Sequence, residues 1–104
     1  MLDFMRNILG GNGGRRVDGP TAHDLVAKGA TLLDVRTPEE FSGGSVAKAK
    51  NIPVQVLDGR MAEVPKGKPV VVFCRSGGRS AQAAGMLENA GYEVYDAGGI
   101  GALM

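Results

Sequence analysis

The feature that most constrains the fold is a run of four apolar residues, Val70-Val71-Val72-Phe73, followed at once by a cysteine and a glycine-rich turn. A continuous β-branched run of this length is typical of a strand in the middle of a parallel sheet, where both faces are covered. The turn leads into a helical pattern from Ser80 to Ala90, with Gly91 as the stop signal. A buried strand, a short turn and a helix together predict an α/β arrangement.

The chain from Val17 onward alternates helix and strand signals. A helix over residues 22–28 is expected to start after Thr21 in a capping-box-like pattern and to stop at Gly29. Further elements are predicted as a short helix after Thr37 as N-cap with Pro38 at its first position, a helix from about Val56 to Val64, and strands at Thr31–Val35, Lys50–Pro53 and Glu93–Tyr95. We therefore expect a three-layer α/β/α domain with a mostly parallel central sheet of about five short strands.

Residues 1–16 differ from the rest of the chain. Leu2, Met5, Ile8 and Leu9 fall at helical spacing, but the glycine-rich stretch 10–14 that follows is too flexible to hold a fixed fold. The pattern predicts a flexible N-terminal tail over residues 1–16 and one domain over residues 17–104, which is an ordinary size for a small domain.

Composition excludes several classes of function. Among 104 residues there is one cysteine, Cys74, and one histidine, His23, which excludes an intramolecular disulfide and leaves too few ligands for a zinc site, so no metal or cofactor is expected. Twelve basic against eleven acidic residues give no basic excess for nucleic acid. No apolar run is long enough to span a membrane, and no secretory signal is recognisable, so we expect a cytoplasmic, reduced protein.

Cys74 lies where ligands bind in open α/β sheets, beyond the carboxyl end of a strand. Backbone N–H groups in a glycine-bearing turn, the positive end of the next helix, and Arg75 and Arg79 all favour an anion there. We therefore expect the pKa of the Cys74 thiol to fall well below its ordinary value, which makes the thiolate a nucleophile. The alternative is a small core cysteine, but the strand-end position beside this turn favours the reactive interpretation.

Four segments together resemble rhodanese (thiosulfate sulfurtransferase) domains over roughly residues 17–102. The first resembles the active-site strand, loop and helix start of that family, the second its Asp-Val-Arg and Glu-Phe signature, the third its Ala-x-Asn-Ile-Pro element and the fourth its last strand and Gly-Gly turn. Named in the same order, the four segments are Val70 to Ser80, Leu32 to Phe41, Ala49 to Pro53 and Gly91 to Ile100. Four motifs in the family's order are far more specific than any one of them.

The resemblance implies a single-domain sulfurtransferase in which Cys74 carries a covalent persulfide. The substrate would be a small-molecule sulfur donor such as thiosulfate, and the acceptor cyanide or another thiophile, with a sulfur-accepting protein as a further partner. The implied active-site loop, which would cradle the persulfide and hold the sulfonate, consists of Arg75, Ser76, Gly77, Gly78, Arg79 and Ser80. Ser80 is expected to cap the helix, Asp34 and Arg36 to form a structural charge network, and His23 to be solvated.

Two departures and two alternative functions accompany this interpretation. Ser45 stands where the family usually has histidine, for which we expect a local rearrangement without loss of activity. The family's aromatic residue after Gly98-Gly99 is missing, so the terminal helix should be short and the rim of the site more open.

A sulfur-relay module that passes persulfide to a partner protein needs the same loop. Phosphatases and arsenate reductases fit less well, because phosphatases need five residues between Cys and Arg, and Arg79 follows Cys74 after four.

Overall fold

The structure is a computed structural model that describes residues 14–104. The elements alternate between strand and helix along the described chain. In order they are β1 (Arg15–Arg16), α1 (Gly19–Ala27), β2 (Thr31–Asp34), α2 (Pro38–Ser42), β3 (Lys50–Asn51), α3 (Val54–Leu57), a 3-10 segment (Asp58–Glu63), β4 (Val70–Cys74), α4 (Gly78–Asn89), β5 (Val94–Gly99) and a 3-10 turn (Ile100–Ala102).

The five strands form one sheet in the order β1-β5-β4-β2-β3, and every neighbouring pair is parallel. Strand β4 occupies the centre, and all five of its residues are buried. This confirms the prediction that the valine run is a central strand covered on both faces. Because all strands run the same way, their carboxyl ends meet at one edge of the sheet, where β4 delivers Cys74.

Two apolar layers cover the two faces of the sheet and confirm the three-layer arrangement. On one face, α3 and α4 contribute Leu57 and Leu87 to a core that includes Val72 and Cys74. On the other face, α1 contributes Ala22 to a core with Phe73. Alternate residues of β4 therefore enter opposite layers, as the side-chain period of a strand requires.

The pairing of β5 with β4 is irregular near the carboxyl end of the sheet. Asp96 lies opposite Val72, but Gly98 lies opposite Phe73, so Ala97 is the extra residue of a β-bulge. The bulge places Gly99 directly opposite Cys74. The sequence prediction that Gly98 and Gly99 form a turn after the strand is wrong, because both belong to β5.

The N-terminal half of the domain begins earlier than predicted. Arg15–Arg16 form β1 on the edge of the sheet beside β5, so the last residues of the predicted tail belong to the fold, and β1 is the strand that the pattern did not locate. A run of two residues is too short to show a strand period. The remainder of the predicted tail, residues 1–13, lies outside the described residues.

Helix boundaries in α1 and α3 also differ from the prediction. Helix α1 starts at Gly19 because the Asp18 carboxylate accepts a hydrogen bond from the N–H of Thr21, so the N-cap is Asp18 and Thr21 lies inside the helix. The helix predicted over 56–64 is α3 followed by a 3-10 segment, with a non-helical backbone at Arg60. Gly29, in contrast, has the left-handed φ of 112° expected of a stop.

Candidate functional site

The loop after β4 holds the Cys74 sulfur with main-chain donors. Sγ accepts hydrogen bonds from the N–H of Gly77 at 3.0 Å and from the N–H of Ser80 at 3.3 Å. Gly77 precedes α4 as its N-cap with φ 107°, a left-handed conformation that side chains disfavour. Gly77 therefore combines a backbone conformation that favours glycine with an N–H that donates to the sulfur.

This arrangement stabilises a thiolate. Burial of the sulfur raises the pKa of the Cys74 thiol, but the surrounding hydrogen-bond donors, led by the backbone N–H of Ser80 and including that of Gly77, outweigh burial. The net result is a pKa below the ordinary value for cysteine, in the direction predicted from the sequence. The cause differs in part from the prediction, since backbone N–H groups act on the sulfur more directly than the two arginines do.

Ser80 does not cap the helix as predicted. Helix α4 begins two residues earlier, and no side chain caps it. The buried Ser80 hydroxyl instead donates to the carbonyl oxygen of Gly77 at 3.0 Å, while the Ser80 N–H points to the sulfur. The Ser80 hydroxyl therefore links the start of α4 to the loop and fixes the orientation of the Gly77 carbonyl group.

The two arginines of the loop have different environments. The Arg79 guanidinium is bound to the carboxylate of Glu40 on α2, with N–O distances of 2.7 and 3.1 Å. Hydrogen bonding to Glu40 raises the pKa of Arg79, burial opposes it, and the charges of Glu40 and Cys74 add to the rise, so Arg79 also interacts with the sulfur electrostatically. Arg75 is exposed, as are its neighbours Ser76 and Gly78 on the outer side of the loop.

Asp34 and Arg36 form the buried charge network that was predicted. The Asp34 carboxylate is fully buried and accepts hydrogen bonds from Nε and Nη2 of Arg36 at 2.7 to 3.0 Å. Arg36 also donates to the carbonyl oxygen of Gly44, and the Asn51 side chain donates to the carbonyl oxygens of Asp34 and Arg36. The network ties the end of β2 to the segment after α2 and to the edge strand β3.

Ser45 belongs to this network, which the sequence did not reveal. Its hydroxyl donates to Asp34 Oδ2 at 2.7 Å. The local rearrangement expected at this position stays a prediction, and the contact that Ser45 makes here is this hydrogen bond to the buried carboxylate. His23 was expected to be solvated only, but its Nε2 lies 2.8 Å from the carbonyl oxygen of Leu103, which links α1 to the end of the described chain.

Glu40 is the main site-adjacent residue that sequence reasoning missed. The sequence predicted Thr37 as N-cap of this helix, and the structure adds a complete capping box in which the Glu40 side chain accepts from the N–H of Thr37. Nothing in the spacing indicated that the same carboxylate would reach Arg79, 39 residues further along the chain. β2 and β4 are neighbouring parallel strands, so the segments that follow them leave the sheet at the same edge, where Glu40 reaches Arg79.

Within residues 14–104, no group of three or more His, Cys, Asp or Glu side chains is arranged to hold a metal ion. None of the helices in this range is both long and apolar enough to cross a membrane.

Fold and site together define a class: an α/β protein with a buried cysteine thiol that accepts hydrogen bonds from backbone N–H groups at the carboxyl end of the central strand. Residues 20–102 match the Rhodanese-like domain family. The chain belongs to the rhodanese-like domain family.

Individual relatives agree with this assignment. A sulfurtransferase of Allochromatium vinosum is 44% identical over 61 residues, which cover 59% of this chain and 57% of that protein. Thiosulfate sulfurtransferase GlpE of Stutzerimonas stutzeri is 30% identical over 86 residues, 82% of this chain and 79% of that one. The crystal structure of reduced CoADR-RHD from Bacillus anthracis superposes with a TM-score of 0.81 at 34% identity over 97% of this chain and 18% of that chain. The chain thus spans little more than half the length of the Allochromatium relative.

Proposed function

We propose that this protein is a thiosulfate sulfurtransferase that moves sulfane sulfur through a persulfide on Cys74. The observation that carries the proposal is the pair of backbone N–H groups, from Gly77 and Ser80, directed at Sγ. They favour the thiolate before reaction and can hold the negative charge of a persulfide after it. No second cysteine exists in the chain to remove that sulfur, so an external acceptor must take it.

The reaction balances without an oxidant or reductant. The Cys74 thiolate attacks the outer sulfur of thiosulfate, an S–S bond forms, the S–S bond of thiosulfate breaks, and sulfite leaves with the electron pair. Cyanide then attacks the terminal sulfur of the persulfide, thiocyanate leaves, and the thiolate is restored. Arg75, exposed beside the loop, and Arg79, which senses the charge on Cys74, would attract the sulfonate and stabilise the charge on the departing sulfite.

Access to the sulfur favours a small donor. Cys74 is only 1% exposed, so a terminal sulfur atom is a better fit than a bulky electrophile. The four-residue spacing from Cys74 to Arg79 also makes a tighter loop than a phosphatase uses. Phosphate ester or arsenate chemistry is therefore the weakest of the three candidates.

The test combines turnover with intact-mass analysis. Purified protein should convert thiosulfate and cyanide to thiocyanate, gain the mass of one sulfur atom on incubation with thiosulfate alone, and fail to hydrolyse p-nitrophenyl phosphate. Hydrolysis of the phosphate ester without thiocyanate formation would overturn the proposal.

A second candidate is a sulfur relay in which the donor or acceptor is a protein persulfide. One observation favours it: the same domain forms 18% of the longer Bacillus anthracis chain, where it is joined to further protein. A reducing compartment such as the cytoplasm would suit either role, because it keeps the single thiol free. The Michaelis constant for thiosulfate separates the two, since a value far above cellular concentrations would favour the relay.

A further inference from the structure

Asp96 on β5 has a buried carboxylate that the proposed reaction does not use. The residue is 1% exposed, and its Oδ1 accepts a hydrogen bond from the N–H of Gly98 at 2.8 Å. Its Oδ2 is buried without a hydrogen-bond partner within residues 14–104, and Nε of the exposed Arg16 lies 4.0 Å from it. A buried carboxylate oxygen without a donor costs free energy, so a residue kept there needs a reason.

The hydrogen bond from Gly98 to Asp96 shapes the end of β5. It spans two residues, as in an Asx turn, and encloses the extra residue of the β-bulge. Gly98 has φ 76°, a left-handed conformation that is held in place by this contact. The carboxylate therefore fixes the direction in which Gly98 and Gly99 continue past the sheet.

That end of β5 is the surface on which the Cys74 loop rests. A Cβ built on Gly99 would lie 2.8 Å from the carbonyl oxygen of Arg75 and 3.4 Å from Cα of Ser76. A Cβ built on Gly77 would lie 3.8 Å from Cα of Gly98. Backbone meets backbone at this contact, so a displacement of Gly98 or Gly99 would be transmitted to the peptides that face the sulfur.

We propose that Asp96 is a positioning residue for Cys74, because its carboxylate fixes the Gly98-Gly99 end of β5 against which the loop from Arg75 to Gly77 packs. The inference rests on the proposed role of Cys74 as nucleophile. Asp96 touches neither the sulfur nor a donor to it, and it acts through the shape of the neighbouring strand.

The direction in which the pKa of the Cys74 thiol changes distinguishes a positioning role of Asp96 from a simple effect of its charge. A negative charge near a thiolate raises the pKa of the thiol, so removal of the Asp96 charge alone would lower that pKa. If Asp96 instead positions the Gly98-Gly99 end of β5, its loss misaligns the Gly77 N–H and raises the pKa of the Cys74 thiol. Asp96→Ala removes charge and acceptor together, whereas Asp96→Asn removes the charge and keeps an oxygen that can accept from Gly98.

The experiment titrates the ultraviolet absorbance of the single thiolate, with Cys74→Ser as the blank. We expect Asp96→Ala to raise the titration midpoint by about one pH unit, the scale of one weakened hydrogen bond to a charged group, and Asp96→Asn to raise it less or not at all. An unchanged or lowered midpoint in Asp96→Ala, or an equal rise in both variants, would overturn the proposal.

A second variant keeps the test available should Asp96→Ala fail to fold. Gly99→Ala places a methyl group against the Arg75 carbonyl, whereas Gly101→Ala, two residues on, meets nothing within 4 Å. The midpoint should rise in Gly99→Ala and stay at the wild-type value in Gly101→Ala. Equal midpoints in the two variants would sink the idea. The titration needs no substrate, so an inactive wild-type protein would refute the proposed function and leave this test intact.

Discussion

Arg79 donates hydrogen bonds to both carboxylate oxygens of Glu40, at 2.7 and 3.1 Å, and so joins the first turn of α4 to α2. The same carboxylate accepts the N–H of Thr37 at 2.9 Å and completes the capping box of α2. The Glu40 side chain thus fixes the start of α2 and binds Arg79 of the loop that follows Cys74.

Glu40→Gln should weaken the fold in a pH-dependent way. Hydrogen bonds from Arg79, then from the Thr37 N–H, lower the pKa of Glu40 from 4.5 to about 2. A lowered folded-state pKa means that the carboxylate adds stability above the unfolded pKa and loses it as the pH falls toward 2. Because the Glu40 side chain is a quarter exposed, we expect a loss on the order of 1 kcal/mol near neutral pH, measured by urea denaturation.

The matched control for this variant is Glu39→Gln. Glu39 precedes Glu40 in the first turn of α2 and is exposed. Glu39→Gln removes the same formal charge as Glu40→Gln. Its effect on stability should be smaller and should not contain the Arg79 contribution. Equal losses in both variants at neutral pH would show that the Arg79 pair contributes nothing beyond the general charge of the turn.

Arg75→Ala should impair binding of the sulfur donor and leave the fold unchanged. Arg75 is exposed beside the loop, so its charge would act on an anionic donor through solvent-screened attraction. We expect the Michaelis constant for thiosulfate to rise by about 2- to 5-fold, with the difference shrinking at high salt. Arg60→Ala, which removes an arginine paired with Glu63 on the 3-10 segment, is the control and should leave the constant as it is.

Persulfide formation should depend on the ionisation of Cys74. The pKa of this thiol lies below its ordinary value because the backbone donors outweigh burial. Its rate of reaction with thiosulfate should therefore rise with pH up to a midpoint below that of a free cysteine and then level off, as followed by intact mass at each pH. Cys74→Ser should remain folded and take up no sulfur; retention of activity by this variant would contradict the mechanism.

Ser45→Ala should lower stability through the buried Asp34 carboxylate. The variant removes a 2.7 Å hydrogen bond to a charged acceptor but leaves the contacts from Arg36 in place, which predicts a loss of about 1–2 kcal/mol in the free energy of unfolding. Ser42→Ala on the exposed side of α2 is the control, with little change expected. A loss of sulfur transfer in Ser45→Ala at unchanged stability would mean that the network acts on the reaction itself.

The sequence predicted the elements whose signals are local. The valine run of β4, the N-cap at Thr37 and the stop at Gly29 all depend on residues a few positions apart, and all three are present. The position of Cys74 after β4 predicted an activated thiol, and the resemblance to rhodanese domains supplied the proposed persulfide chemistry. Features that depend on tertiary register were missed, because no local pattern encodes the β-bulge at Ala97 or the pairing of Arg15–Arg16 with β5.

The left-handed backbone at Gly77 has a consequence for how this site can change. The donors to the sulfur are the peptide N–H groups of Gly77 and Ser80, so substitution of an exposed loop side chain leaves both donors in place. An alanine scan of the exposed side chains would therefore understate the contribution of the loop. An amide-to-ester exchange at Ser80 removes a donor directly, and Gly77→Ala strains the left-handed backbone that orients the other.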